Sequence, residues 1–388
     1  MNKLIRLSEP STSNNEISNI LKVFKKKNFV DGYYQNRTET LIKKILKVNH
    51  CALTTSCSTA LEVAALILNL KKGDEVLLPS FTFSSTANAI ILRGAKPIFV
   101  DISPQNLNID IQDLKRKITQ KTKAIFLVHY AGFSCDLDEI IKLQKKFKFY
   151  IVEDAAHAFL GKYKNKYLGT FGDIGTYSFH QTKNFTGAGQ CGAIIINNKR
   201  LIKKVDSILD KGTNRREILR KNETLIRKKN KYYSWVSLGS EFRASEISSA
   251  FLYAQLLKRK ELQLKRKIIW NNYANLFSSL KIKNIRFLFN QSNNKHPYHL
   301  FVIIFKYKND AANFINFLQK NKISATFHYI PLHISKYAKK FINSKNLNIT
   351  TTIFNKIVRL PLHSNISMKD LNYINNKIKF YFKNKVNN

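Results

Sequence analysis

Between residues 36 and 200, helical spacing alternates with short runs of β-branched and aromatic residues, and this alternation restricts the fold more than any other feature. The runs are EVLLP at 75–79, KPIFVDI at 96–102, AIFLVHY at 124–130 and YIVEDAA at 150–156, each following a helix-like segment. That order is the signature of a parallel α/β sheet. TYSFH at 176–180 and GAIIIN at 192–197 stand too close for a helix between them, so the sheet is expected to become mixed there. Gly161, Gly169, Gly172 and Gly175 cluster in the same stretch.

Residues 245–280 lack Gly and Pro and space apolar residues three and four apart, which predicts one long helix or two consecutive ones. Beyond it, HLFVIIF at 299–305, a helical segment at 309–321, ISATFHYI at 323–330 and two helical stretches after 351 predict a smaller α+β unit, with a polar loop at 340–352. The expected fold class is therefore α/β. A mixed, mostly parallel sheet occupies a large domain at 1–250, and a connecting helix with a small α+β domain occupies 251–388. At roughly 100–200 residues per domain, the 388-residue length accommodates this division.

The chain has 66 Lys and Arg against 25 Asp and Glu, a net charge of +41. Such a charge raises the question of a polyanionic partner. The lysines are dispersed, however, as at Lys25–Lys27, Lys71–Lys72, Lys228–Lys229 and Lys339–Lys340, and form no basic stripe or tail. We read them as solvated surface and expect no nucleic-acid partner. The four cysteines, Cys51, Cys57, Cys135 and Cys191, have neither the number nor the spacing of a disulfide framework, which fits a reducing compartment. No metal site is expected. The first residues reach Glu9 and Pro10 before an apolar core of a signal peptide can form, and no window approaches 18 uninterrupted apolar residues. A soluble, cytoplasmic protein without membrane contact is the expectation.

Open α/β sheets bind ligands beyond the carboxyl ends of their strands. Three features fall there. TTSCSTALEVAALIL opens an apolar helix with a Thr/Ser cluster, either an ordinary N-cap or an anion site made by free amides and the helix dipole. Asp154 ends a strand too apolar to hold a free carboxylate, so it either caps the next helix or meets a charged partner. Lys183 follows the TYSFH strand, with Ser178, His180 and Thr182 at the same edge. A cofactor with a protonated ring nitrogen, an aldehyde and a phosphate would engage such a carboxylate, such a lysine and such a helix start together; pyridoxal 5'-phosphate (PLP) is that molecule.

Together, SFHQTKN at 178–184, EDAAHA at 153–158, LGTFGDIG at 168–175, PSFTF at 79–83 and HYAG at 129–132 resemble the DegT/DnrJ/EryC1/StrS sugar aminotransferases over nearly the whole chain. KGTNR at 211–215, KYYSWVSLGS at 231–240 and FHYIPLH at 327–333 look like the members that make dTDP-4-amino-4,6-dideoxygalactose for enterobacterial common antigen. The resemblance implies a fold-type I PLP enzyme, a homodimer with shared active sites, acting on L-glutamate and a dTDP-linked keto sugar. In that reading Lys183 condenses with the cofactor aldehyde and shuttles protons. Asp154 keeps the ring nitrogen protonated, and Phe83 and His157 sandwich the ring. Ser178 and the amides of Cys57 and Ser58 bind the phosphate. His328 is either a sugar contact or a satisfied core histidine, and Lys211 and Arg215 are candidates for the substrate pyrophosphate.

Two departures stand out. Where relatives often read Gly-Glu-Gly-Gly after the lysine segment, this chain has Gly189, Gln190, Cys191 and Gly192, so Cys191 would be strained if its position required φ > 0. Where many members offer an Asn to the partner's phosphate, Glu241 stands between Gly239 and Arg243, and a carboxylate there is repulsive. These departures leave open a PLP-binding protein without catalysis, besides another nucleotide-sugar 3- or 4-aminotransferase. A dehydratase on the same scaffold would replace the lysine with histidine, and Lys183 argues against it.

Overall fold

The computed structural model describes residues 3–29, 32–220, 232–289, 294–338 and 347–386. Lys228, Lys229, Lys231, Lys339 and residues 340–346 of the expected polar loop lie outside the described residues.

In chain order the first strands are β1 (Cys51–Thr54), β2 (Glu75–Pro79), β3 (Lys96–Val100), β4 (Thr122–Val128) and β5 (Tyr150–Asp154). A two-residue hairpin, β6 (Lys162–Tyr163) and β7 (Lys166–Tyr167), precedes β8 (Ile174–Ser178) and β9 (Gly192–Ile196). Seven of these form one sheet in the order β1-β9-β8-β5-β4-β2-β3. β2, β3, β4, β5 and β8 pair in parallel, whereas β9 runs antiparallel to β8 and β1. The mixed, mostly parallel sheet is thus present, and the missing helix between β8 and β9 is what reverses the direction.

The apolar runs are continuous because both faces of the sheet are covered. Leu77, Ile125, Leu127 and Ile151 pack into one core, while their neighbours Val76, Leu78, Phe126 and Val152 pack into another. Period-two alternation sends successive residues to opposite faces. It therefore also separates Glu153 from Asp154. Glu153 is fully buried and accepts hydrogen bonds from His129 Nε2 at 2.8 Å and from the amides of Gly169, Phe171 and Gly172. Burial opposes its charge, but His129 and the amides of Gly172 and Gly169 hold the carboxyl below its ordinary range. This buried acceptor pins the glycine-rich segment under the strand ends.

Residues 246–280 form two consecutive helices, Glu246–Leu257 and Arg259–Leu280, broken at Lys258. A second sheet follows, antiparallel throughout: β10 (Ile285–Phe287), β11 (Phe301–Phe305) and β12 (Ile357–Leu360). Its core includes Phe301, Phe314, Ile374 and Ile378, together with Phe81 and Tyr130 from the main-sheet side.

The C-terminal expectations need three corrections. ISATFHYI is not a strand of a sheet; its backbone pairing among the described residues is limited to isolated bridges, Ile5 to Ile323 and Thr326 to Arg359. Of the two helices expected after 351, the second is present as Met368–Val386, but the first stops at Ile353 and gives way to the strand β12, whose apolar pattern Arg359 interrupts. Within the expected loop at 340–352, Asn348–Ile353 is helical, its first amides bonded to the buried Asp101 carboxylate at 2.8 and 3.0 Å.

Candidate active site

The carboxyl ends of β2, β5 and β8 meet the start of the helix Cys57–Ile67 around a cavity of about 330 Å³. Cys57, Ser58, Phe83, Asp154, His157, Ser178, Lys183 and His328 line it. The structure thus brings eight of the ten candidate residues together. Lys211 and Arg215 are not among the lining residues. Instead Lys211 Nζ pairs with Glu241, so the carboxylate that stood out in the sequence is engaged within its own chain. Arg243 is also committed, its Nη2 lying 2.7 Å from Asp206 Oδ1 and its Nη1 3.6 Å from Glu39.

Ser56 caps the helix Cys57–Ile67, its Oγ accepting from Thr59 N at 3.1 Å. The first turn of a helix leaves amides without intrahelical acceptors, and those of Cys57 and Ser58 stand at this end. Gly192 allows the close approach: a Cβ there would sit 2.5 Å from Cys57 N. Cys191, in contrast, has no left-handed backbone; Ala188 (φ 58°) and Gly189 (φ 113°) carry the turn. The feared strain at Cys191 is absent, and its buried side chain packs where Gly187 has none.

Asp154 is 6% exposed and accepts from Thr86 Oγ1 at 2.8 Å and from Ala156 N at 3.1 Å. Burial pushes its carboxyl up, against those two donors and the charge of Lys183. Among the described residues Lys183 makes no ion pair with this or any carboxylate. Burial pulls its ammonium down to about 8, with the charge of Arg359 adding to the effect and Cys57 and Asp154 opposing it. The amine is therefore available as a nucleophile near neutral pH.

His157 is buried. Its Nδ1 accepts from Ala131 N at 3.3 Å, and its Nε2 lies 3.2 Å from Tyr329 Oη. Burial and the Lys183 charge hold the ring neutral. Phe83, 59% exposed, stands on the open side of the cavity. Sequence reasoning missed Thr86, Tyr329 and Arg359. Only Arg359 left a trace, as a cation inside an apolar run; Thr86 lies 68 residues from the carboxylate it serves, and Tyr329 lies 172 residues from His157.

This donor set fits PLP. Asp154 matches the ring nitrogen, and a cationic N–H there would relieve the cost of the buried carboxylate. Lys183 matches the aldehyde, and the helix start with its hydroxyl cluster, including Ser58 Oγ 2.6 Å from Ser85 Oγ, matches the phosphate.

Comparison with known proteins agrees. GDP-perosamine synthase of Escherichia coli O157:H7 is 29% identical over 356 residues, covering 90% of this chain and 91% of the relative. UDP-4-amino-4,6-dideoxy-N-acetyl-beta-L-altrosamine transaminase of Campylobacter jejuni is 27% identical over 380 residues, 96% of each chain. Helicobacter pylori PseC, an aminotransferase of pseudoaminic acid biosynthesis, superposes with a TM-score of 0.88 at 26% identity, covering 98% of this chain and 100% of PseC. Residues 10–379 match the family profile, and the chain belongs to the DegT/DnrJ/EryC1/StrS aminotransferase family, with PLP as its cofactor.

Proposed function

We propose that the protein transfers an amino group from L-glutamate to the C4 ketone of a nucleotide-linked 4-keto-6-deoxy sugar. The observation that carries this reading is the convergence on one cavity of a lysine without a carboxylate partner among the described residues, a buried carboxylate and a helix N-terminus. The two curated relatives support a nucleotide-sugar substrate, and the Campylobacter enzyme's product supports amination at C4 of a 6-deoxy sugar. The relatives use different nucleotides, GDP and UDP. The dTDP sugar whose product is dTDP-4-amino-4,6-dideoxygalactose rests on the residue matches at 211–215, 231–240 and 327–333.

When bound, PLP supplies an electron sink for the bonding pair of the C–H cleaved in the donor. The residues do the rest. Asp154, oriented by Thr86, keeps a proton on the ring nitrogen. His157 and Phe83 flank the ring, and Ser178 with the amides of Cys57 and Ser58 holds the phosphate. Lys183 would hold the aldehyde and, as a free amine, would move the proton to and from the substrate carbon. A homodimer completes the reading. Tyr232, Trp235 and Leu238 are 71%, 78% and 57% exposed, and Trp235 pairs with Thr213 in the segment that carries Lys211 and Arg215; in this reading those two cations meet the substrate pyrophosphate across such an interface.

The test is product identification. Incubated with PLP, L-glutamate and dTDP-, UDP- and GDP-linked 4-keto and 3-keto sugars, the protein should aminate a 4-keto-6-deoxy sugar at C4, as read by mass spectrometry and NMR. Amination of only 3-keto sugars would refute the C4 assignment.

The lysine also sets a pH dependence. A depressed pKa means the neutral amine is lost as pH falls through about 8. Capture of PLP by cofactor-free protein should accelerate as pH rises from 6 and level off above about 8, instead of climbing toward the ordinary lysine value of about 10.4. Stopped-flow absorbance at saturating PLP reads this directly, and an inflection near 10 would show that burial does not tune Lys183.

A further inference from the structure

Both carboxylate oxygens of Asp154 carry a donor. Oδ1 accepts from Ala156 N at 3.1 Å, and Oδ2 accepts from Thr86 Oγ1 at 2.8 Å. Thr86 stands in the first turn of the helix Ser84–Ile91, fully buried and not among the residues that line the cavity. Its Oγ1 lies 3.0 Å from Thr82 Oγ1, four residues earlier. Thr82 is buried too, at the cavity wall.

A hydroxyl has one proton to donate. Thr86 donates its proton to Asp154, so toward Thr82 it can only accept, and the Thr82 hydroxyl donates to it. The two threonines therefore form a directed chain that ends on one carboxylate oxygen. Each bond in such a chain polarises the next, so the outer hydroxyl strengthens the inner contact.

A buried carboxylate and a ring nitrogen can share a proton in two ways. The proton sits on the nitrogen, which gives an ion pair, or on the carboxylate, which gives two neutral groups. Burial favours the neutral pair, because it penalises charge. It does push the Asp154 carboxyl up, and the Thr86 hydrogen bond is the largest effect pulling it back down, ahead of Ala156 N and the Lys183 charge. A ring that accepts the bonding pair of the cleaved C–H needs the proton on its nitrogen. Donors to the ionised carboxylate favour that location.

We propose that Thr86, supported by Thr82, is a positioning residue that keeps the shared proton on the cofactor ring nitrogen instead of on Asp154. This rests on the reading of Asp154 as the partner of that nitrogen, and the test separates the two. PLP labelled with ¹⁵N in its ring is loaded into cofactor-free wild type, D154N, T86V, T86S and T82V. NMR of the label distinguishes a protonated ring nitrogen from an unprotonated one. D154N examines Asp154 alone: the wild type should show the proton and D154N should not.

T86V keeps the shape of the side chain and removes the hydroxyl. A hydrogen bond to a charged group shifts such a balance roughly ten- to hundredfold, so the ratio of protonated to unprotonated ring nitrogen should fall by about that factor in T86V. The single-turnover rate with L-glutamate should fall at least about tenfold alongside it. T86S keeps the hydroxyl and should restore the wild-type signal. T82V should move the signal the same way by less, since the inner bond remains. A proton that D154N abolishes and T86V leaves in place would overturn the proposal while sparing Asp154. A wild-type ring nitrogen without a proton, or one that D154N leaves protonated, would remove the Asp154 reading and this inference with it. Should T86V not fold, T86A removes the same hydroxyl at the cost of a small cavity, and it must show the same loss.

Discussion

Replacing Lys183 with alanine is expected to abolish transamination while leaving the protein folded and able to bind PLP without a covalent link. The lysine lines the cavity and makes no ion pair among the described residues, so its removal takes little packing with it. What is lost is the attachment to the aldehyde and the group that moves the proton. General acid-base catalysis alone contributes roughly 10²–10⁴-fold, so a loss of about 10⁴ or more is expected when both roles vanish. Borohydride treatment of the wild type should fix cofactor mass on the peptide containing Lys183, and in Lys183→Ala on no peptide. Turnover within about tenfold of wild type, far short of that expected loss, would show that another group carries the chemistry.

Asp154→Asn should have the next largest effect. The amide is nearly isosteric and can still receive the Thr86 hydroxyl, but it bears no charge to keep a proton on the ring nitrogen. Loss of one preorganised electrostatic contact of this kind costs roughly 10²–10³ in rate. Single-turnover rates with L-glutamate should therefore fall by about that factor, while PLP occupancy stays high. A variant that binds PLP more weakly yet turns over at the wild-type single-turnover rate would make Asp154 a purely structural residue.

The sheet was legible because both its faces are buried. EVLLP, and most of KPIFVDI, AIFLVHY and YIVEDAA, became β2 to β5, since a run with no polar face has few other places to go. Their carboxyl ends were overrun by two residues, because Ile102, Tyr130 and Ala155 remain buried after the strands have ended. The C-terminal unit was less legible. β10 has three residues and β12 four, too few to establish a period, and Arg359 conceals the second.

In the cavity, Asp154 and Lys183 could be found because each breaks the local pattern at a strand end, where ligands bind. Thr86 and Tyr329 break no pattern. Their contacts exist only once helix, strand and C-terminal segment are packed together. Glu241 misled in the opposite way: as a sequence departure it suggested a repulsive phosphate contact, and the fold gives it to Lys211.

The central claim is that nitrogen passes from an amino acid to a nucleotide sugar through Lys183. The most direct measurement uses L-glutamate labelled with ¹⁵N, the PLP-loaded protein and a nucleotide-linked 4-keto-6-deoxy sugar, with mass spectrometry of the recovered sugar. The account predicts an amino sugar carrying the label, 2-oxoglutarate in equal amount, and neither product with Lys183→Ala. A sugar recovered without nitrogen, whether unchanged or dehydrated, while the label stays in glutamate, would contradict it.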